Sequence, residues 1–84
     1  MTLLDELTRE VQRVLQDQYT LDGLESWLHD HAQDIASTND PALVHLAGRT
    51  WNLLSEYGAG SSEAYVRQQL YRALQTPAAT LAPA

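Results

Sequence analysis

The segment from Pro41 to Tyr57, PALVHLAGRTWNLLSEY, constrains the fold of this chain more than any other. Its apolar residues recur at three- and four-residue spacing, and they form two adjacent stripes of a helix rather than one. A helix with so wide an apolar surface needs neighbours on more than one side. The pattern therefore predicts the central helix of a bundle. The first stripe is Leu43, Ala47, Trp51 and Leu54, and the second is Leu46, Leu53 and Tyr57.

Capping residues divide the rest of the chain into three further amphipathic helices. Thr2, Thr20 and Asp40 suit helix N-termini because a short polar side chain accepts a bond from an unpaired first-turn N–H. The segment from Tyr57 to Gly60 ends the third helix with a glycine suited to the left-handed C′ position. We predict an all-α, up-and-down bundle of four helices at residues 3–17, 21–36, 41–57 and 62–75, with the third helix central.

Two glycines fall inside predicted helices, where each weakens the helix by about 1 kcal/mol relative to alanine. At Gly48, beside Ala47, we expect a neighbouring helix to approach closely, because a side chain there would prevent the approach. Gly23 either weakens the first turn of the second helix or permits close packing there.

The chain divides into a helical domain at residues 1–75 and a tail at residues 76–84. The tail, TPAATLAPA, has no charge, no periodicity and two prolines, so we predict that it is disordered. The chain has no cysteine, which excludes disulfides and thiolate metal sites. The N-terminus reaches Asp5 without a basic region, and no apolar run approaches the length of a membrane span. A cytoplasmic location without membrane contact is the default expectation.

The charge is distributed unevenly along the chain. There is no lysine, and the five arginines face eleven acidic residues, for a net charge of −6. No arginine occurs between residues 14 and 48, so the net negative charge lies in that interval. This distribution predicts a negative field on one side of the molecule, which favours a basic protein partner and disfavours a nucleic-acid backbone. The acids of the interval are Asp17, Asp22, Glu25, Asp30, Asp34 and Asp40.

The second predicted helix contains the candidate binding site. Its acids form either a solvated face or a docking surface, and the absence of compensating cations favours docking. Trp27 adjoins this face and suits an interface anchor. Alternatively, Trp27 packs on Trp51 or Tyr19 inside the bundle. The candidate partner-binding residues are Asp22, Glu25, Trp27, Asp30 and Asp34.

Three histidines are the candidates for a metal site. His29 and His31 are two positions apart, so they point about 200° apart on a helix and cannot bind one ion together. The remaining possibility is a metal site formed by His31, an acidic residue and His45 from across the bundle. The alternative is that His31 is a partly buried core residue and that His29 pairs with Glu25 one turn earlier. The sequence contains no nucleophile elbow, phosphate loop or paired-carboxylate motif, so we expect no enzyme, cofactor or metal.

Two stretches of the chain show a family resemblance. TLDGLESWL at residues 20–28 and EYGAGSSEAYVRQQL at residues 56–70 resemble small bacterial all-helical proteins of uncharacterised function. Those proteins pair a Ser/Thr-Leu-x-x-Leu/Phe-Glu-x-Trp-Leu helix with a later Glu-Tyr-x-x-Gly-x-x-Glu-x-x-Leu-Arg-like junction. Ala59 and Gly60 shift the spacing of that junction here. The resemblance implies an all-helical fold and assigns no activity.

The functional expectation is a non-enzymatic, acidic protein–protein interaction module. A specific form is an inhibitor of the immunity-protein or antitoxin type, which small acidic bundles resemble in size and charge. The alternative is a structural homodimer or assembly subunit, in which a second copy covers the apolar third helix.

Overall fold

The computed structural model describes residues 2–75, which form four α-helices and their connections. The helices are α1 at Leu3–Leu15, α2 at Leu21–Ala36, α3 at Pro41–Gly58 and α4 at Glu63–Gln75. They confirm the predicted all-α bundle, and each boundary falls within two residues of its predicted position. The tail predicted at residues 76–84 lies outside the described residues.

The predicted caps begin the helices. The Thr2 hydroxyl accepts the backbone N–H of Asp5 at 3.1 Å, and the Asp5 carboxylate accepts the N–H of Thr2 at 3.3 Å, which completes a capping box. Thr20 and Asp40 each accept a first-turn N–H at 3.0 Å. Ser62 accepts one at 3.1 Å in front of α4. Local sequence therefore sets where each helix starts.

The first helix ends two residues earlier than predicted, because Asp17 adopts a left-handed conformation with φ of 60°. The N–H of Gln18 donates to the Arg13 carbonyl at 2.8 Å, and the N–H of Asp17 donates to the Val14 carbonyl at 3.1 Å. These two bonds form a Schellman motif. Aspartate tolerates the left-handed region better than most residues, so the predicted extension of α1 to Asp17 is wrong.

The third helix ends in the same motif, with glycine at the left-handed position. Gly60 has φ of 113°. The N–H of Ser61 donates to the Glu56 carbonyl at 3.0 Å, and the N–H of Gly60 donates to the Tyr57 carbonyl at 3.1 Å. Gly58 is the last residue of the helix. The glycine that the turn requires is therefore Gly60.

The third helix is central, as predicted, because it contacts each of the other three helices. The first helix does so too, whereas among the described residues no Cα atom of α2 lies within 8 Å of one of α4. Helices α1 and α3 therefore lie across the short diagonal of the bundle, and α1 covers one side of the α2–α3 pair. The buried residues of α3 are Leu43, Leu46, Ala47, Thr50, Leu53 and Leu54.

One edge of α3 does not pack as predicted. Trp51, expected in the inner stripe, is 38% exposed, although its neighbour Leu54 is 7% exposed. A Cβ added at Gly48 would meet no heavy atom within 4 Å, so the predicted close helix approach at this glycine is wrong. The spacing of apolar residues correctly placed Leu43, Leu46 and Leu53 in the core. It did not reveal that one edge of the stripe lacks a neighbouring helix.

The close packing considered for Gly23 is confirmed. Two ring atoms of Tyr19 lie 2.6 Å from the position that a Cβ at Gly23 would occupy. The Tyr19 hydroxyl also donates to the Gly23 carbonyl at 3.0 Å. The absence of a side chain at Gly23 therefore lets the Tyr19 ring lie over the first turn of α2.

Candidate protein-binding site

The acidic face of α2 consists of Asp22, Glu25, Asp30 and Asp34, all four of them exposed. Within residues 2–75, none of these carboxylates forms an ion pair with an arginine. Glu25 instead pairs with the imidazole of His29 at 3.8 Å, as the sequence predicted. The structure thus leaves all four carboxylates exposed and pairs none of them with an arginine in this part of the chain.

Two other carboxylates of the acidic interval have partners. Asp17 pairs with Arg67 of α4 at 2.6 Å, so an arginine from outside the interval compensates this charge. Asp40 accepts a backbone N–H as the cap of α3. The charge that the sequence spread over residues 14 to 48 is therefore concentrated on the acidic face of α2.

The candidate residues do not form one compact patch. Glu25 and Trp27 are two residues apart, so they lie about 200° apart around α2, at opposite edges of its exposed surface. The other three carboxylates lie along the arc between these edges. A partner that contacts one edge of α2 therefore does not contact the other edge with the same surface.

Trp27 packs against the hydrophobic core and stacks on a ring of its own helix. Its ring stacks on the ring of His31 with centroids 4.0 Å apart and planes 20° apart. His31 Nδ1 lies 2.8 Å from the Trp27 carbonyl oxygen and donates to it, since a carbonyl oxygen only accepts. Both side chains are half-buried, as predicted for His31. Within residues 2–75, the ring partner of Trp27 is His31 rather than Trp51 or Tyr19, although Trp27 and Tyr19 both pack against the hydrophobic core.

The histidines are dispersed over two helices. His29 meets the ring of Trp51 edge-on at 4.8 Å, and His45 is exposed on α3. Within residues 2–75, no three His, Asp or Glu side chains come together in an arrangement able to hold a metal ion. The arrangement of His31, His45 and an acid considered above is therefore not formed by this part of the chain.

An apolar groove of about 350 Å³ lies between α2 and α3. We call it the α2–α3 groove. Val44 and Trp51 line it and are 51% and 38% exposed. The sequence pattern did not reveal this groove, because Gly48 beside Ala47 predicted a close helix contact there. Its lining includes Leu28, Ala32, Ile35, Val44, Gly48 and Trp51.

Known proteins provide no match from which a function could be assigned. No protein family, curated protein or solved structure matches the chain. The resemblance to small bacterial all-helical proteins therefore stays a prediction. Within residues 2–75, no helix combines the length and the apolar character needed to cross a membrane.

Proposed function

We propose that this protein is a non-enzymatic interaction module of the cytoplasm that presents the acidic face of α2 to a basic protein partner. The observation behind the proposal is the set of four exposed carboxylates on one helix, none paired with an arginine within residues 2–75. Such a surface attracts a cationic partner and speeds association. An inhibitor that masks a basic toxin, as immunity proteins and antitoxins do, is a specific form of this proposal.

The chemistry of the α2–α3 groove supports binding rather than catalysis. Its lining contains no titratable side chain. General acid–base or nucleophilic catalysis needs such groups within reach of a bound substrate. A groove of this kind suits apolar contact with another molecule.

Affinity capture from the cells that produce the protein, followed by mass spectrometry, tests the proposal. We expect the native chain to retain a partner with a basic surface. A variant with Asp22→Asn, Glu25→Gln, Asp30→Asn and Asp34→Asn should lose it. Because exposed charges are screened, affinity should fall at least about tenfold between about 50 and about 500 mM salt.

A control variant removes negative charge elsewhere on the surface. Glu6 and Glu56 are exposed on α1 and α3, and the Glu6→Gln, Glu56→Gln variant should keep the partner. Partners with acidic or neutral surfaces, or binding indifferent to salt, would contradict the proposal.

A second candidate function is a homodimer or assembly subunit. The exposure of Val44 and Trp51 favours it, because exposed apolar surface of this kind is often covered by another copy. Sedimentation of the full chain at micromolar concentration separates the two functions. The interaction module is expected to sediment as a monomer, whereas a stable dimer would favour the second candidate.

A further inference from the structure

We propose that the α2–α3 groove binds one amphipathic α-helix of a partner protein, with flanking Lys or Arg side chains directed at Asp22 and Glu25, the carboxylates of the acidic face nearest the groove. The apolar stripe of that helix would fill the groove. This inference rests on the proposed function and specifies the element by which the basic partner is recognised.

The packing of the bundle leaves a helix position vacant beside α2 and α3. Helix α1 contacts both of them and covers one side of the pair. On the opposite side, residues 2–75 supply no covering helix, since no Cα atom of α4 lies within 8 Å of α2 and no α4 residue lines the groove. Two packed helices present a groove into which the ridge of a third helix fits. A partner helix in this groove would pack on α2 and α3 in the same way as the helices of the bundle pack on one another.

The shape of the groove suits a helix. Its lining includes the small residues Ala32 and Gly48, and a Cβ at Gly48 would meet only open space. Small residues at a contact let two helix axes approach to roughly 8 Å. From Val44 to Asn52 the groove follows α3 for about 12 Å at 1.5 Å per residue. This length matches about two turns, or apolar side chains at positions i, i+3 or i+4, and i+7 of the partner helix.

The charge at the rim selects a basic helix. The Glu25 carboxylate lies 3.8 Å from His29, whose ring contacts Trp51 at the edge of the groove. Asp22 precedes Glu25 by three residues and therefore shares its side of α2. Neither a lysine nor an arginine occurs between residues 14 and 48, which include all of α2 and the first eight residues of α3. A second copy would bring the same acidic rim against itself, and like charges oppose that arrangement.

Two glycines allow a matched test in solution. Gly48 and Gly58 are both helical, and a Cβ at either position meets nothing within 4 Å. Gly48→Gln places a side chain in the groove, whereas Gly58→Gln places one outside it. Both variants are expected to fold, which circular dichroism and a urea unfolding curve would verify.

The probe is a fluorescent synthetic peptide of about 18 residues with leucines at i, i+3, i+4 and i+7 and lysines elsewhere. A second peptide replaces every lysine with glutamate. In fluorescence anisotropy, we expect the full chain and Gly58→Gln to bind the lysine peptide equally. The Gly48→Gln variant should bind the lysine peptide at least about tenfold more weakly than the unmodified chain does. The unmodified chain should bind the glutamate peptide at least about tenfold more weakly than the lysine peptide. Tryptophan emission, to which Trp27 and Trp51 both contribute, should shift to shorter wavelength when the lysine peptide binds.

The contrary results separate a failure of the groove as the binding site from a failure of the basic partner. Equal binding by Gly48→Gln and Gly58→Gln would overturn the groove as the binding site. In that case, the variant in which all four carboxylates of the acidic face are replaced by amides decides the proposed function. If this variant no longer bound the lysine peptide, the proposed function would stand and this inference would fail. Equal affinity for the lysine and glutamate peptides would refute the charge selection and the basic partner together. No binding of the lysine peptide at about 100 μM, or a dimer dissociated by Gly48→Gln, would remove a partner helix as the occupant.

Discussion

The Arg67 guanidinium lies 2.6 Å from the Asp17 carboxylate and thereby joins α4 to the end of α1. The same guanidinium donates to the Leu15 carbonyl at 3.2 Å. Carbonyls in the last turn of a helix lack partners within the helix. Arg67 therefore satisfies the end of α1 where Asp17 turns the chain out of the helix.

Removal of the Arg67 side chain is expected to destabilise the fold more than removal of the Asp17 charge. Arg67→Ala removes contacts to both residues from a side chain that is 24% exposed, and we expect a loss of about 1–2 kcal/mol in the free energy of unfolding. Asp17→Asn should cost less than about 1 kcal/mol, because the carboxylate is 81% exposed and asparagine tolerates a left-handed φ. Urea unfolding followed by circular dichroism measures both. Arg9→Ala, at an exposed position of α1, is the control, and equal losses for all three would refute the argument.

Alanine is expected to have opposite effects at Gly48 and Gly23. At Gly48 the added methyl group meets open space, so alanine should stabilise the helix by about 0.5–1 kcal/mol. At Gly23 it would meet the Tyr19 ring and displace the hydroxyl that donates to the Gly23 carbonyl, so we expect a loss of about 1 kcal/mol or more. Thermal unfolding of the two variants measures the difference. A gain in stability at both positions would contradict the contact between Tyr19 and Gly23.

The turn after α3 is expected to require glycine at one position and to accept alanine two residues earlier. Gly60 has φ of 113°, so Gly60→Ala should cost about 1–2 kcal/mol in unfolding free energy. Gly58 is helical, so Gly58→Ala should preserve or increase stability. Chemical denaturation measures the free energy of unfolding of both variants under the same conditions. A harmless Gly60→Ala would mean that the chain turns without a left-handed residue there.

Two positions of α3 are expected to respond very differently to truncation. Leu53 is fully buried, so Leu53→Ala should cost about 2–5 kcal/mol. Val44 is 51% exposed at the groove, so Val44→Ala should change stability by less than about 0.5 kcal/mol. Guanidinium unfolding curves measure both variants. A large loss at Val44 would indicate that the groove is already covered in the free protein.

The features that sequence analysis predicted correctly are local ones. Thr2, Thr20 and Asp40 cap their helices as expected, because each cap bonds to an N–H within three residues of itself. The pairing of Glu25 with His29 spans a single helical turn. Apolar periodicity likewise identified α3 as the helix with the widest buried surface.

Tertiary packing decided the features that join distant segments. Arg67 compensates Asp17 and meets the end of α1, which no local spacing indicates. Gly48 and Trp51 line an open groove rather than a helix contact, because α1 covers one side of the α2–α3 pair and α4 does not line the groove. The sequence by itself determined four helices, their caps and a strongly acidic second helix. Only the packing of these helices decided which apolar edge of α3 remained uncovered. The spacing of apolar residues determines on which side of a helix they lie, but segments distant in the sequence determine whether that side is covered.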